Sequence, residues 1–85
     1  MFFFYILKSA KDGKLYMGST SDIKRRIKEH NDGLVYSTKL RRPLKPIYLE
    51  GYASEEDARH REKNLKLRSK ALRQLKIRIK KSLGL

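Results

Sequence analysis

Tyr5 and Tyr16 stand eleven positions apart, in the segments Phe3-Phe4-Tyr5 and Tyr16-Met17-Gly18, with Asp12-Gly13 between them. Asp-Gly flanked by apolar segments is a strong hairpin signal. A two-residue turn there makes residues whose numbers sum to 25 cross-strand partners, which sets Tyr16 opposite Ser9. Ser9 and Tyr5 lie four apart on one strand and share a face. Both phenols are therefore expected on one side of the sheet. Two packed sheet aromatics are one reading of the pair, and two phenols handling a proton around a water are the other. A phenol ordinarily ionises near pH 10, so Tyr16 needs a cationic neighbour or a metal-bound water to act as a base.

The charged candidates fall in two helical patterns. In the first, Ile23, Ile27 and His30 share a face at about 100° per residue. Arg26 borders that face one turn before His30, and Arg25 points away. Arg26 could serve an ion pair with Asp22 or Glu29 at helical spacing, or neutralise charge on a phosphate. His30 could be a packed helix-end imidazole or a supporting catalytic group. In the second pattern Ala58, Glu62 and Leu65 lie on one stripe, so a carboxylate sits among apolar positions. It must be paired or bound there, because burying an unpaired charge is costly. A salt bridge to Arg26, Arg59 or Lys66 would satisfy it. So would a hard cation, since Mg²⁺ takes only one or two protein carboxylates and fills its shell with water and phosphate oxygens. Such an ion would polarise a scissile phosphate and stabilise the leaving oxygen.

The elements that must position these groups read as an α+β domain. Residues 2–8 and 14–19 form strands, and 22–32 a helix with Ser21 as N-cap and Gly33 as its stop. A basic loop covers 34–45, where Pro43 and Pro46 forbid a helix. A third strand spans 47–52. Ser54-Glu55-Glu56-Asp57 resembles a capping box opening a helix over 55–67. A last helix spans about 70–82, capped by Ser69, with Leu72, Leu75 and Ile79 on one stripe. Lys76 to Lys80 alternates like a strand, but helix formers on both sides favour a helix.

Eighty-five residues, 39% of them apolar, allow one small domain with one modest core. Without cysteine there is no disulfide frame and no thiolate zinc site, which fits a cytoplasmic protein. The apolar run Met1–Leu7 is too short to span a membrane and lacks the marks of a signal peptide; it reads as a strand buried on both faces. The net charge of +13 is uneven: residues 1–37 hold seven Lys/Arg and four acids, and residues 38–85 hold fifteen and five. So basic a surface attracts polyanions, with nucleic acid ahead of an anionic membrane. The last helix lacks the aromatics of an interfacial helix, so no membrane partner is expected.

The ordered set of motifs resembles the GIY-YIG nuclease superfamily. In particular it is similar to small stand-alone bacterial domains akin to the N-terminal nuclease module of the excision-repair incision subunit. The resemblance rests on the tyrosine spacing, Tyr16-Met17-Gly18, Arg26 eight residues after Gly18, His30 four later, and Glu62 in the second helix. Thr38-Lys39-Leu40-Arg41-Arg42-Pro43 and Ala58…Arg61-Glu62-Lys63…Lys66 look like the stand-alone subgroup. It covers about residues 2–68 and leaves a basic helix, about 69–82, within a single domain of residues 1–85. It implies a three-stranded antiparallel sheet in β-β-α-β-α-α order with flanking helices. It also implies cleavage of DNA phosphodiester bonds with one divalent cation, Mg²⁺ or Mn²⁺. By position, Tyr5 and Tyr16 would hold the attacking water, Arg26 the phosphate, His30 would support them, and Glu62 would bind the metal. The first motif departs by losing its glycine and isoleucine. Ser19 stands where several members carry lysine, and no late asparagine follows Glu62.

Three functions follow from these residues. The first is an endonuclease nicking branched, single-stranded or damaged DNA in repair or recombination, associated with the nucleoid when bound. The second is a nucleic-acid binding module that cleaves poorly or not at all. The third is a recruited subunit whose specificity comes from a partner protein. Lys39, Arg41, Arg42, Lys66, Lys70 and Arg73 are the expected phosphate contacts. Lys76, Arg78, Lys80 and Lys81 extend the basic face of the last helix. For cleavage, Glu62 must come within a metal-bridging span of Arg26 and Tyr16; on the far side of the sheet it would serve no such site.

Overall fold

A computed structural model describes residues 1–84. The chain runs β1 (Phe2–Ser9), β2 (Leu15–Thr20), α1 (Ile23–Asn31), β3 (Leu44–Tyr52), α2 (Glu55–Leu67) and α3 (Ser69–Arg78). The three strands form one antiparallel sheet in the order β2-β1-β3. The α+β class and the element order expected from the sequence are thus both present.

β1 is the central strand, and its alternation divides the core in two. Phe4 and Ile6 point into a cluster with Leu65 of α2, Leu75 of α3, Ile79 and Leu83. Tyr5 and Leu7 point the other way, onto Leu44, Tyr16, Ile23 and Ile27. A strand covered on both faces is apolar at consecutive positions, which is why Phe4 to Leu7 are all buried. The sheet therefore lies between α1 on one face and α2 with α3 on the other.

The hairpin is wider than Asp12-Gly13 alone suggests. Ser9 N–H donates to Lys14 O at 3.0 Å, enclosing four residues, and Gly13 N–H returns to Ser9 O at 2.9 Å with Gly13 at φ +72°. Ser9 Oγ accepts from the N–H groups of Lys11 and Asp12, each at 3.1 Å, and holds this wider turn. Partner numbers consequently sum to 23, so Tyr16 faces Leu7 rather than Ser9, and Tyr5 faces Gly18. The slip is two residues, which preserves side-chain parity. Tyr5 and Tyr16 do share a face.

Helix α1 is capped by Asp22 rather than Ser21: extended at φ −136°, Asp22 accepts from Arg25 N–H at 3.1 Å. At its end Gly33 N–H donates to His30 O and Leu34 N–H to Glu29 O, with Gly33 at φ +78°. This is the paired closure that places glycine just past a helix. β3 begins at Leu44, earlier than expected, and includes Pro46. That is tolerated because β3 is an edge strand, with no outer neighbour needing the missing N–H. Ser54 takes the N-cap place of α2 without a side-chain cap bond, and Arg68, not Ser69, precedes α3. Helix α3 ends at Arg78, short of residue 82.

One polar cluster ties β3 to α2. Arg61 binds Glu50 through Nε at 2.9 Å and Nη2 at 3.1 Å, and the hydroxyls of Tyr48 and Tyr52 each donate to Glu50 at 2.5 Å. Burial alone would raise the Glu50 carboxyl; Arg61, then Tyr48 and Tyr52, outweigh it and leave it below its ordinary value. Burial and then the Glu50 charge hold the Tyr52 phenol up at about 12, so it stays a donor. A bidentate arginine fixes orientation as well as distance. This clamp sets the roll of α2, the helix that carries Glu62 in the position after Arg61.

Candidate active site

The first part of the site gathers on the α1 face of the sheet. Tyr5 Oη is 3.0 Å from His30 Nε2, and His30 Nδ1 is 2.7 Å from Thr38 Oγ1. All three residues are essentially inaccessible to solvent. The Tyr16 ring meets His30 edge-on with centroids 4.9 Å apart, and lies 6.4 Å from the Tyr5 ring. Helical spacing placed His30 on the sheet-facing side of α1, and there it packs. Thr38 lies outside the site residues expected from the sequence. A threonine in a run of basic loop residues gives no local sign of burial.

Gly18 makes room for this group. It pairs directly with Tyr5, and a Cβ at Gly18 would fall 2.5 Å from Tyr5 Oη and 2.7 Å from Cζ. No side chain fits there without moving the phenol. The glycine after Tyr16-Met17 is thus required by close approach, with no positive φ involved.

Electrostatics separates Tyr5 from an ordinary sheet aromatic. Burial pushes the Tyr5 phenol up; the neighbouring Arg26 guanidinium opposes this, while Tyr16 and the Glu62 charge add to it. Tyr5 is therefore held protonated. Burial, and then the charge of Arg26, lower the His30 imidazole to about 4, so it is neutral near pH 7. Arg26 also binds Glu29 at 3.1 Å, one of the two ion pairs its spacing allowed, and still keeps a third of its side chain exposed. Arg25 is two-thirds exposed and turned away, as helical geometry required.

Glu62 arrives from the other layer. Its helix packs Ala58 and Leu65 on the Phe4 face, across the sheet from Tyr16. Yet Glu62 and its neighbours reach around the open edge of β2. Ser19 Oγ donates to Glu62 Oε1 at 2.7 Å, and Lys66 Nζ donates to Oε2 at 2.6 Å. The same Lys66 Nζ lies 6.0 Å from the Tyr16 ring centroid, within cation–π range. Glu62, Lys66 and Tyr16 thus form one run of contacts around the edge, close enough for the carboxylate charge to act on Tyr5. Ser19, a departure from the lysine of several family members, holds the carboxylate instead. Its signal in the sequence is parity with Leu15 and Met17, which face α2.

An open groove of about 460 Å³ beside Glu62 is lined by Ser19, Arg59, Lys63, Lys66 and Leu67. Among the described residues no group of three or more His, Cys, Asp or Glu is placed to hold a metal. The donor set instead fits an ion held by one carboxylate and completed by water and phosphate.

The expected phosphate contacts divide. Lys39, Arg42, Lys66, Lys70 and Arg73 are exposed. Arg41 is engaged: its Nε binds Asp12 at 2.8 Å, and its carbonyl accepts from Ser9 Oγ at 2.6 Å. The hydrogen bond from Arg41, and then that from Lys14 N–H, pull Asp12 down to about 2. This arginine pins the 32–43 loop to the hairpin.

Comparison with known proteins agrees with this architecture. Residues 1–76 match the family model of the GIY-YIG catalytic domain. The chain is 36% identical over 81 residues to the UPF0213 protein YazA of Bacillus subtilis, covering 94% of this chain and 81% of that one. It is 40% identical over 79 residues to a UPF0213 protein of Staphylococcus aureus, covering 89% and 95%. The solution NMR structure of the UPF0213 protein BH0048 from Bacillus halodurans superposes with a TM-score of 0.54 at 33% identity, covering 91% of this chain and 85% of that one. With the tyrosine pair, its glycine and the order of the elements already in place, these likenesses show that the chain belongs to the GIY-YIG nuclease family.

Proposed function

We propose that this protein is a divalent-metal-dependent endonuclease that nicks structured DNA, with the 85-residue chain acting as one nuclease module in the bacterial cytoplasm. The observation that carries the reading is the convergence of Tyr5, Tyr16, His30 and Arg26 on one end of the sheet, with Glu62 at the adjoining edge.

The roles follow from protonation. Arg26 can only donate, so the single Tyr5 proton points to His30 Nε2. His30 then carries its proton on Nδ1, toward Thr38 Oγ1, an assignment made from the network. Tyr5, itself shut from solvent, is thereby a fixed positioning group for Tyr16 and Arg26, which meet the attacking water. Tyr16, in its ionised form, takes the proton from that water as the water oxygen bonds to phosphorus and the bond from phosphorus to the leaving sugar oxygen breaks. Lys66, supplied by α2 rather than by the strand, is a cation beside the Tyr16 ring. Arg26, partly exposed beside the phenols, neutralises charge growing on the phosphate oxygens. Mg²⁺ or Mn²⁺ on Glu62 would supply Lewis-acid stabilisation of the leaving oxygen. Lys66 binds Glu62 and lies beside the Tyr16 ring, so it would couple the base to the residue that would hold the ion.

A panel of branched, single-stranded and nicked DNA, incubated with and without Mg²⁺ or Mn²⁺, tests the reading. Cleavage should require the metal and fall at least a hundredfold in Glu62→Ala and Arg26→Ala, on the order expected when charge stabilisation of a transition state is removed. Binding of the panel without metal-dependent cleavage by the wild type would establish the non-catalytic module instead.

A further inference from the structure

The loop between α1 and β3 presents an aromatic ring to solvent. Tyr36 is 86% exposed, while every other Phe and Tyr among the described residues is buried or partly buried. Leu34 and Leu40, in the same loop, are also exposed. The loop is nonetheless built. Val35 and Thr38 are buried, and the backbone turns on itself through Thr38 N–H to Val35 O at 3.1 Å, Lys39 N–H to Val35 O at 2.9 Å and Arg41 N–H to Thr38 O at 2.8 Å. Thr38 joins the site through His30. Tyr36 thus stands two residues from a buried anchor that is itself one imidazole away from Tyr5.

The surroundings of the ring identify what it fits. Lys39 Nζ sits 4.8 Å from the ring centroid, covering one face. Arg42 is exposed on the same loop, with Nε on the Lys39 carbonyl at 2.7 Å. An open aromatic face flanked by cations, on a chain of net charge +13, matches a ligand with a flat π-system beside a phosphate. An apolar protein surface would have no use for the cations. A base inside a duplex has both faces covered by its neighbours, so only an unpaired one can stack on Tyr36.

We propose that Tyr36 is a stacking platform for an unpaired nucleobase, with Lys39 and Arg42 holding the flanking phosphates. The strand entering the site is thereby single at that point. The inference rests on the nucleic-acid reading above and narrows it, because it selects flaps, bubbles and single strands over continuous duplex.

The test uses the full chain carrying Glu62→Ala, without divalent cation, so that binding is read apart from cleavage. The probes are a single strand of about ten nucleotides, within the range one small domain covers, its matched duplex, and the RNA strand of the same sequence. Adding Tyr36→Ala should weaken single-strand binding roughly tenfold, the scale of one lost base–aromatic stack, with duplex binding changed less than twofold. Tyr36→Phe should restore it, and a fluorescent base analogue should be quenched by the protein with Tyr36 or Phe and not with Ala. The RNA arm reports whether deoxyribose matters, and quenching on either strand supports the platform. Equal loss on single strand and duplex, or no loss on either, overturns it. If binding behaves as expected and the wild type still cleaves nothing, the nuclease reading falls and the platform stands.

Discussion

His30 condenses the residue-scale argument. Helix periodicity placed it toward the sheet, but neither of its partners was legible: Tyr5 is 25 positions away and Thr38 lies in a loop with no periodicity. Its protonation gives a direct check. Burial, then Arg26, hold the folded imidazole at about 4, whereas an unfolded histidine ionises near 6.5. Between those values the unfolded chain binds a proton that the folded chain refuses. Stability is therefore full above about pH 6.5 and falls as pH drops through 4, by roughly 3 kcal/mol from this group. Urea midpoints should decline across that window, and the decline should shrink in His30→Asn. In an NMR titration the His30 ring should hold its neutral shifts down to about pH 5. A ring that titrates near pH 6.5 would show it to be solvated, and the Tyr5–His30–Thr38 chain open.

At the scale of elements, the strands and helices were legible because each carries its own period. Phe4 to Leu7 reads as a strand buried on both faces, and α1 as a helix stopped by glycine. What the local pattern lacks is the hairpin register. Asp-Gly marks the turn correctly, but the width of the turn is set by Ser9 Oγ, which also holds the Arg41 carbonyl from a loop 32 residues later. A two-residue slip spares parity, so the shared face of the phenols was recoverable although their partners were not. The recovered register gives the pairing of Gly18 with Tyr5 its consequence. Gly18→Ala sets a methyl carbon 2.5 Å from Tyr5 Oη, on a ring hemmed in by His30 and Tyr16. Overpacking of that kind costs about 1–3 kcal/mol. The larger effect is expected on cleavage, since the phenol must leave His30 Nε2. The variant should remain folded by circular dichroism at 25 °C while losing at least tenfold in metal-dependent nicking. Cleavage at the wild-type rate would show that the position of Tyr5 is immaterial.

The whole molecule has two unlike faces joined at one edge. α1 and its loop enclose the phenols, α2 and α3 cover the other face, and the proposed site occupies the β2 edge where the layers meet. Composition made the basic character plain, yet not which cations are free. Arg41 is spent on Asp12 and the hairpin, whereas Lys70, Arg73 and Lys76 stand exposed along α3 with Leu75 and Ile79 turned inward. None of the three has an acidic partner among the described ion pairs. They can therefore contact phosphates without first breaking a bond, and phosphate contacts position a duplex without reading its sequence. Each phosphate neutralised contributes about 0.9 to the slope of log affinity against log salt on duplex DNA. Replacing Lys70, Arg73 and Lys76 together by glutamine should lower that slope by about 2 to 3 units. The loss of affinity should be the same on duplexes of unrelated sequence. Arg41→Gln should change the slope little and instead lower the unfolding midpoint, because its charge already has a protein partner. If the triple variant keeps the wild-type slope, α3 faces away from the bound nucleic acid, and the phosphate contacts belong to the loop and the β2 edge alone.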